Sequence, residues 1–114
     1  MAKLTRNHTF TRPVTLKGIS EDGKDVTFLT TFRSLPDEEL KEMLDNWHVG
    51  LGEMENASQK VALEKVIAKV ECKEQFDTPE EAREFVVNGN FPVRTAFRLA
   101  YQRFAFEGDM LQKN

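Results

Sequence analysis

The feature of this chain that most constrains its fold is a change in the spacing of its apolar residues. Between Phe10 and Phe32 apolar and polar residues largely alternate, as they do in strands that bury one face. Asp22-Gly23 interrupts the alternation, and this pair is typical of a β-hairpin because glycine adopts a positive φ at little steric cost. After Ser34 the apolar residues follow helical spacing. This order predicts an antiparallel hairpin followed by helices.

Two helical segments follow the hairpin. The first begins near Ser34, which can act as an N-cap because its hydroxyl can accept a backbone N–H of the first turn. The helical spacing of its apolar residues continues to Trp47 and places that side chain on the face toward a core, so we expect Trp47 to be buried. The second segment covers roughly residues 54–71. Its end, residues 66–72, is compatible with either a helix or a short strand.

Two further helices are indicated near the C-terminus. Thr78-Pro79-Glu80-Glu81 has the threonine, proline and glutamate of a capping box, and Ala82, Phe85 and Val86 form the expected buried side of that helix. The last helix starts near Pro92 and carries one apolar stripe. The stripe consists of Val93, Ala96, Phe97, Ala100, Tyr101 and Phe104. We expect it to face the core.

The chain is long enough to form one domain. Its 114 residues can bury roughly two thirds of the unfolded surface, so neither a disulfide nor a metal is needed for folding. We expect residues 1–9 to form a flexible N-terminal arm, because they are polar and aperiodic, and residues 10–114 to form a single α+β domain. In that domain the N-terminal antiparallel β-hairpin packs on a small bundle of three to four α-helices.

Composition argues against several locations and partners. Cys72 is the only cysteine, which is compatible with a reducing compartment. No apolar run approaches the ~20 residues of a membrane-spanning helix, so we expect a soluble, intracellular protein without a membrane partner. The net charge of −3 argues against nucleic acid, because such binding depends on lysine and arginine side chains that neutralise phosphates.

Little in the chain indicates catalysis. Only His8 and His48 could act as general bases, and we expect the first in the flexible arm and the second at a helix end. The chain lacks the spacings of zinc, calcium and nucleotide sites, and Cys72 is expected to be a buried or half-buried thiol. We therefore predict a protein that is not an enzyme, with no catalytic, cofactor-binding or metal-binding residues and no cofactor.

The candidates for partner binding lie near the C-terminus. Arg94 and Arg98 flank the apolar stripe of the last helix one turn apart. Phe104 and Phe106 lie near the end of that helix, where apolar surface can remain exposed for a partner. The two arginines fit either a solvated helix face or a surface that docks onto acids. We predict that these four residues form the partner-binding surface.

The layout resembles the small tail assembly chaperones of long-tailed bacteriophages and prophages. The resembling segments are the hairpin 14–28, its exit Phe32-Arg33-Ser34-Leu35, the acidic helix start Asp37-Glu38-Glu39-Leu40 and the terminal stretch 92–101. Together they span about residues 10–106. The chain departs from many relatives after its second helix, where Val66 to Cys72 runs into Lys73-Glu74-Gln75-Phe76 without a glycine-tryptophan pair.

The resemblance implies a function and a set of partners. Such chaperones are non-enzymatic and often oligomeric, coat the phage tape-measure protein, keep it soluble and recruit tail-tube subunits. The resemblance thus implies self-association, action in the host bacterial cytoplasm and absence from the mature virion. Two alternatives remain open. One is a small adaptor or regulatory protein-binding module of a bacterial or phage complex. The other is a small metal-dependent hydrolase, in which Glu38 and Glu42 share a metal with Asp45 or His48.

Overall fold

A three-stranded antiparallel sheet carries helices on one of its faces. The computed structural model describes residues 8–46 and 53–106. Its elements in chain order are β1 (Thr9–Leu16), β2 (Val26–Arg33), α1 (Asp37–Asn46), α2 (Glu53–Val66), β3 (Ile67–Glu71), α3 (Pro79–Val87) and α4 (Phe91–Phe106). The predicted α+β class is confirmed, with an N-terminal hairpin and four helices within the described ranges.

The hairpin strand β2 lies at the centre of the sheet. β1 pairs with it antiparallel from Thr9 opposite Arg33 to Leu16 opposite Val26. β3 pairs along the other side of β2, with an irregularity of register between Thr31 and Phe32. β1 therefore lies at the edge of the sheet, where the missing N–H of its proline is tolerated.

Side-chain alternation divides the hairpin into an inner and an outer face. The inner face carries the buried residues Phe10, Val14, Leu16, Val26, Phe28, Thr30 and Phe32. The outer face is lined with threonines that pair across the strands. The hydroxyls of Thr11 and Thr31, and those of Thr15 and Thr27, are each 2.9 Å apart. These cross-strand bonds favour the observed register, since a slip by one residue would turn the apolar face outward.

The ambiguous segment after the second helix is a strand. α2 ends at Val66, and the chain continues directly into β3, which contains the fully buried Ile67 and Val70. The strand is favoured because β2 presents unpaired backbone groups along this side, and β3 satisfies them. Of the two interpretations of residues 66–72, the strand is confirmed for Ile67–Glu71, while Val66 is the last residue of α2.

The start of α1 differs from the prediction. Ser34 does not cap α1, which begins at Asp37; its hydroxyl instead accepts the backbone N–H of His8 at 3.1 Å. The backbone N–H of Ser34 donates to the carbonyl of His8 at 2.8 Å. Thr9 is therefore the first residue of β1, and the two bonds to Ser34 hold His8 beside the end of β2. Residues 1–7 and the predictions on Trp47 and His48 lie outside the described residues.

The predicted N-cap of α3 forms, but the Glu81 carboxylate accepts the Thr78 hydroxyl, whereas in a complete capping box it accepts the Thr78 backbone N–H. Thr78 accepts the N–H of Glu81 at 3.2 Å through its hydroxyl oxygen, and its O–H donates to the carboxylate of Glu81 at 3.1 Å. α3 ends at Val87 with Asn88 as its C-cap, and Gly89 then allows α3 and α4 to approach closely. A Cβ at Gly89 would lie 2.8 Å from Val93 Cγ1 and 2.9 Å from the carbonyl oxygen of Phe85.

The apolar stripe of α4 packs against the inner face of the sheet, as predicted. Phe97 and Tyr101 are fully buried and touch the aromatic side chains of the hairpin. The Phe97 ring meets Phe28 edge-on with centroids 5.8 Å apart, and the Tyr101 ring lies 5.5 Å from Phe32. Phe97 therefore fills the space between helix and sheet, and its predicted burial is confirmed.

Tyr101 also carries a buried polar group. It is the only tyrosine of the chain, and its hydroxyl donates to the backbone carbonyl of Arg33 at 3.0 Å. Burial disfavours the phenolate and raises the pKa of Tyr101 from 10.0 to about 12.

We expect the Tyr101 phenol to ionise near pH 12 in the folded protein and near pH 10 in the unfolded chain. Because folding raises this pKa, its contribution to stability is complete below pH 10 and is lost as the pH rises toward 12. Tyrosinate absorbance, followed with and without denaturant, measures both transitions. Tyr101→Phe is the control, because it should remove both. A native-state transition near pH 10 would show that the hydroxyl is solvated.

Candidate partner-binding surfaces

Arg94 is part of the protein interior. Its side chain is only 6% exposed, and its guanidinium donates to the Gln59 side-chain oxygen at 2.8 Å and to the Gly89 carbonyl at 2.6 Å. These bonds connect α4 to α2 and to the turn that precedes α4. The expectation that Arg94 belongs to an accessible surface is therefore wrong, because α2 covers this side of the helix. A buried glutamine, Gln59, is its partner, and the spacing within α4 gives no indication of that contact.

The neighbouring turn of α4 does face outward. Arg98 is half-buried and donates to the side-chain oxygen of Gln102 at 3.2 Å. Leu99 is 53% exposed, and Arg103 is exposed one turn further along. We call Arg98, Leu99, Gln102 and Arg103 the α4 outer face. It combines an accessible leucine with two arginines, of which the sequence analysis identified Arg98.

Phe104 lies at the boundary between core and surface. It is half-buried, with its ring centroid 6.3 Å from that of Phe10 and 6.1 Å from that of Phe32. The guanidinium of Arg12 lies 5.7 Å from the centre of the Phe104 ring and 5.8 Å from that of Phe10. This contact stabilises the ring by a cation–π interaction. The side chain of Phe106 lies outside the described residues.

The structure shows a second apolar surface, which the sequence analysis missed. Phe85, expected on the buried side of α3, is 39% exposed, and so is Ile19 in the hairpin loop. Phe85 lies at the margin of its helical stripe, where one side of the ring stacks on Phe28 with centroids 6.0 Å apart. The partly buried Phe76 lies beside it at 5.3 Å. The isolated apolar residue in a polar hairpin loop, Ile19, is the sequence signal that could have indicated this surface.

The titratable groups suggest no reactive centre in the described part of the chain. No group of three or more histidine, cysteine, aspartate or glutamate side chains there could hold a metal ion. Glu38 and Glu42 are both exposed. Cys72 is buried, and this burial raises the pKa of its thiol, so the sulfur is protonated at neutral pH.

Among residues 8–46 and 53–106, no helix is both long enough and apolar enough to cross a bilayer.

Fold and surfaces together define a small α+β protein whose candidate sites are accessible patches of apolar and charged side chains. The model of the family described as phage tail assembly chaperone matches residues 1–92. Since this match covers well over half of the chain, the protein belongs to the phage tail assembly chaperone family. No curated protein and no solved structure matches the chain.

Family membership fixes the coarse role. A tail assembly chaperone acts in the host cell during tail assembly, and the family implies a non-enzymatic function with phage tail proteins as partners. The match ends at Pro92. The surface around Ile19 and Phe85 thus lies within the matched region, whereas the α4 outer face lies beyond it.

Proposed function

We propose that this protein binds the tape-measure protein and tail-tube subunits in the cytoplasm of the host and leaves before the virion is complete. The observation that carries this proposal is the family match over residues 1–92. The tape-measure protein is the long, helical client, and the chaperone covers its apolar surface until tube subunits replace it. The proposal requires no catalytic residue, because reversible coverage depends only on the accessible surfaces.

The α4 outer face is the proposed client-binding surface. Leu99 supplies apolar contact area, and Arg98 and Arg103 place positive charge on either side of it. Such a face suits an amphipathic helix that bears acidic residues beside its apolar stripe. The proposal retains Arg98, Phe104 and Phe106 from the sequence analysis, while Arg94 supports α4 from inside.

Binding by this surface is expected to be weak for each copy. A few apolar side chains and two screened charges contribute little free energy, and one small domain covers only a short length of a long client. Many copies bound side by side, with self-association between them, would supply the affinity through multivalency. The proposal therefore includes self-association of the chaperone.

We expect Arg98→Glu combined with Arg103→Glu to leave the fold intact and to reduce the amount of soluble tape-measure protein on co-expression. The reason is that the two substitutions turn the positive flanks of Leu99 negative and so repel an acidic client. Lys17→Glu with Lys73→Glu makes the same change of net charge at exposed sites elsewhere and is the matched control. The soluble fraction of the client, measured after centrifugation, is the readout.

Two outcomes of this experiment have separate meanings. Equal client solubility with the wild type, with both variants and without any chaperone would contradict the proposed function. If the client is equally soluble with the wild type and with the Arg98→Glu, Arg103→Glu variant, but less soluble without any chaperone, the function stands and only the choice of surface is contradicted.

A further inference from the structure

A groove lies at the hairpin-loop end of the molecule, among the loop between β1 and β2, the turn between β3 and α3, and the outer side of α3. It consists of two adjoining depressions of about 590 and 670 Å³, which share the residues Ile19, Phe76 and Phe85. Phe28 closes the first depression from below, and Val93 lines the second. We call this feature the acidic groove, with the three shared residues as its floor.

The floor is apolar and held in place. Phe85 stacks almost parallel on Phe28, at an angle of 3°, and lies 5.3 Å from Phe76. These contacts fix the ring while leaving 39% of the residue accessible. An aromatic group already fixed in the free protein loses little side-chain entropy when a partner covers it, so it is suited to act as an anchor.

The rim is strongly acidic. The lining residues that the structure describes include six carboxylates: Glu21, Asp22, Asp25, Glu74, Glu81 and Glu84. Lys24 is the one base among these lining residues, and its ammonium group lies 3.7 Å from a carboxylate oxygen of Asp22. The Ser20 hydroxyl donates to Asp22 and lowers the pKa of this carboxyl group, with a further contribution from the Lys24 backbone N–H. A partner must therefore bring positive charge to the rim.

Five backbone N–H groups around the groove already have partners within the protein. Those of Ser20 and Gly23 close the hairpin loop by donating to backbone oxygens, and the N–H of Lys24 donates to the hydroxyl of Ser20 at 2.9 Å. Those of Gln75 and Phe76 donate to the carbonyl oxygen of Cys72. An extended peptide binds largely through hydrogen bonds to backbone groups of its receptor. A helix satisfies its own backbone and needs only side-chain contacts, so it fits this lining better.

We propose that the acidic groove binds a cationic amphipathic helix of a protein partner, with apolar side chains on Ile19, Phe76 and Phe85 and lysines or arginines facing the carboxylate rim. The inference rests on the proposed function only in assigning that helix to a client of the chaperone. The floor extends through both depressions, so the helix presents at least two apolar anchors one turn apart. The α4 outer face of a second copy offers only Leu99, which favours a separate partner over self-docking.

The first test uses a synthetic 18-residue helical peptide with leucines at i and i+4 on one face and lysines beside them. Its fluorescence anisotropy on titration with the full-length protein gives the dissociation constant. A matched peptide with glutamate in place of lysine is the control. We expect the cationic peptide to bind, and to bind more weakly as salt screens the rim, whereas the acidic peptide should not bind. Equal binding of both peptides, or binding of neither, would overturn the proposal.

Variants locate the site. Glu74→Lys combined with Glu84→Lys should raise the dissociation constant of the cationic peptide at least about tenfold, because the two substitutions reverse two charges of the rim. A tenfold change corresponds to about 1.4 kcal/mol. Ile19→Ser should also lower the affinity for this peptide. Because Ile19 is exposed in the hairpin loop, the substitution leaves the core unchanged. Asp45→Lys with Glu64→Lys is the charge-matched control at exposed sites outside the groove. Wild-type affinity in the rim variant would overturn the proposal.

Two further measurements distinguish peptide binding in the groove from self-association through the groove and from the proposed chaperone function. If Ile19→Ser changes the oligomeric state of the protein in sedimentation analysis, a second copy occupies the groove and the proposal is wrong. If the groove variants lose the peptide while client solubility on co-expression never depends on the chaperone, the groove proposal is supported and the proposed function fails. The two ideas can therefore fail independently.

Discussion

Phe97→Ala should lower the free energy of unfolding by about 3–5 kcal/mol. Phe97 is fully buried between α4 and the sheet, so truncating it leaves a cavity that closes only if the helix and the sheet shift toward each other. A loss of this size is a large part of the roughly 5–15 kcal/mol that stabilises a small domain. Urea denaturation followed by circular dichroism measures the change.

Leu99→Ala is the matched control, because it removes a large apolar side chain from the same helix at a position that is 53% exposed. We expect a change within about 0.5 kcal/mol, as for most surface substitutions. If the two variants lose similar amounts of stability, the buried and outer faces of α4 have been assigned incorrectly.

Arg94→Glu should also cost about 3–5 kcal/mol, for an electrostatic reason. The new carboxylate would be buried beside the Gln59 side-chain oxygen and the Gly89 carbonyl, both of which accept hydrogen bonds from Arg94. The substitution removes the donors of both bonds and introduces a charge without a partner. Thermal unfolding or urea denaturation detects this loss.

Arg98→Glu, one turn along the same helix, is the control for the Arg94 prediction. Arg98 is half-buried and bonds only to Gln102 among the contacts described, so we expect a loss below about 1 kcal/mol. Arg94→Met separates the two parts of the effect, because it preserves much of the side-chain volume but removes the donors. Equal stability of Arg94→Glu and Arg98→Glu would contradict the buried position of Arg94.

The hairpin and the α3 cap could be predicted because their determinants are local. Alternation around Asp22-Gly23 and the Thr78 N-cap involve residues close in sequence, and both occur in the structure. The strand β3 could only be given as one of two possibilities. Its short apolar segment satisfies helix and strand patterns alike, and the choice depends on pairing with β2, more than 30 residues earlier.

The sites were harder to predict because exposure depends on contacts between distant elements. Arg94 and Arg98 look equivalent beside the apolar stripe, but α2 and Gln59 cover only the first of them. Phe85 follows the spacing of a buried residue, yet it lies where α3 borders the hairpin loop, and part of its ring stays accessible. Spacing within one helix indicates a face but not what covers it.

The segments that resemble the family lie partly inside and partly outside the region matched by the family model. The hairpin and the acidic start of the first helix lie inside the matched region, so these segments agree with the family assignment. The terminal stretch 92–101 lies beyond the match except for Pro92, and its part in the resemblance remains a prediction. The proposed client-binding role of the α4 outer face is therefore supported by the exposure of Leu99 and the charges of Arg98 and Arg103, and not by the family match.

The most direct test of the central claim is the mass of the complex between this protein and the tape-measure protein of the same phage. Both purified proteins are mixed, and sedimentation velocity reports the size and composition of what forms. We predict a complex with several copies of this chain on each tape-measure chain, which dissociates on dilution because each contact is weak. Sedimentation of the two proteins as separate species at all concentrations, with no complex, would contradict the account.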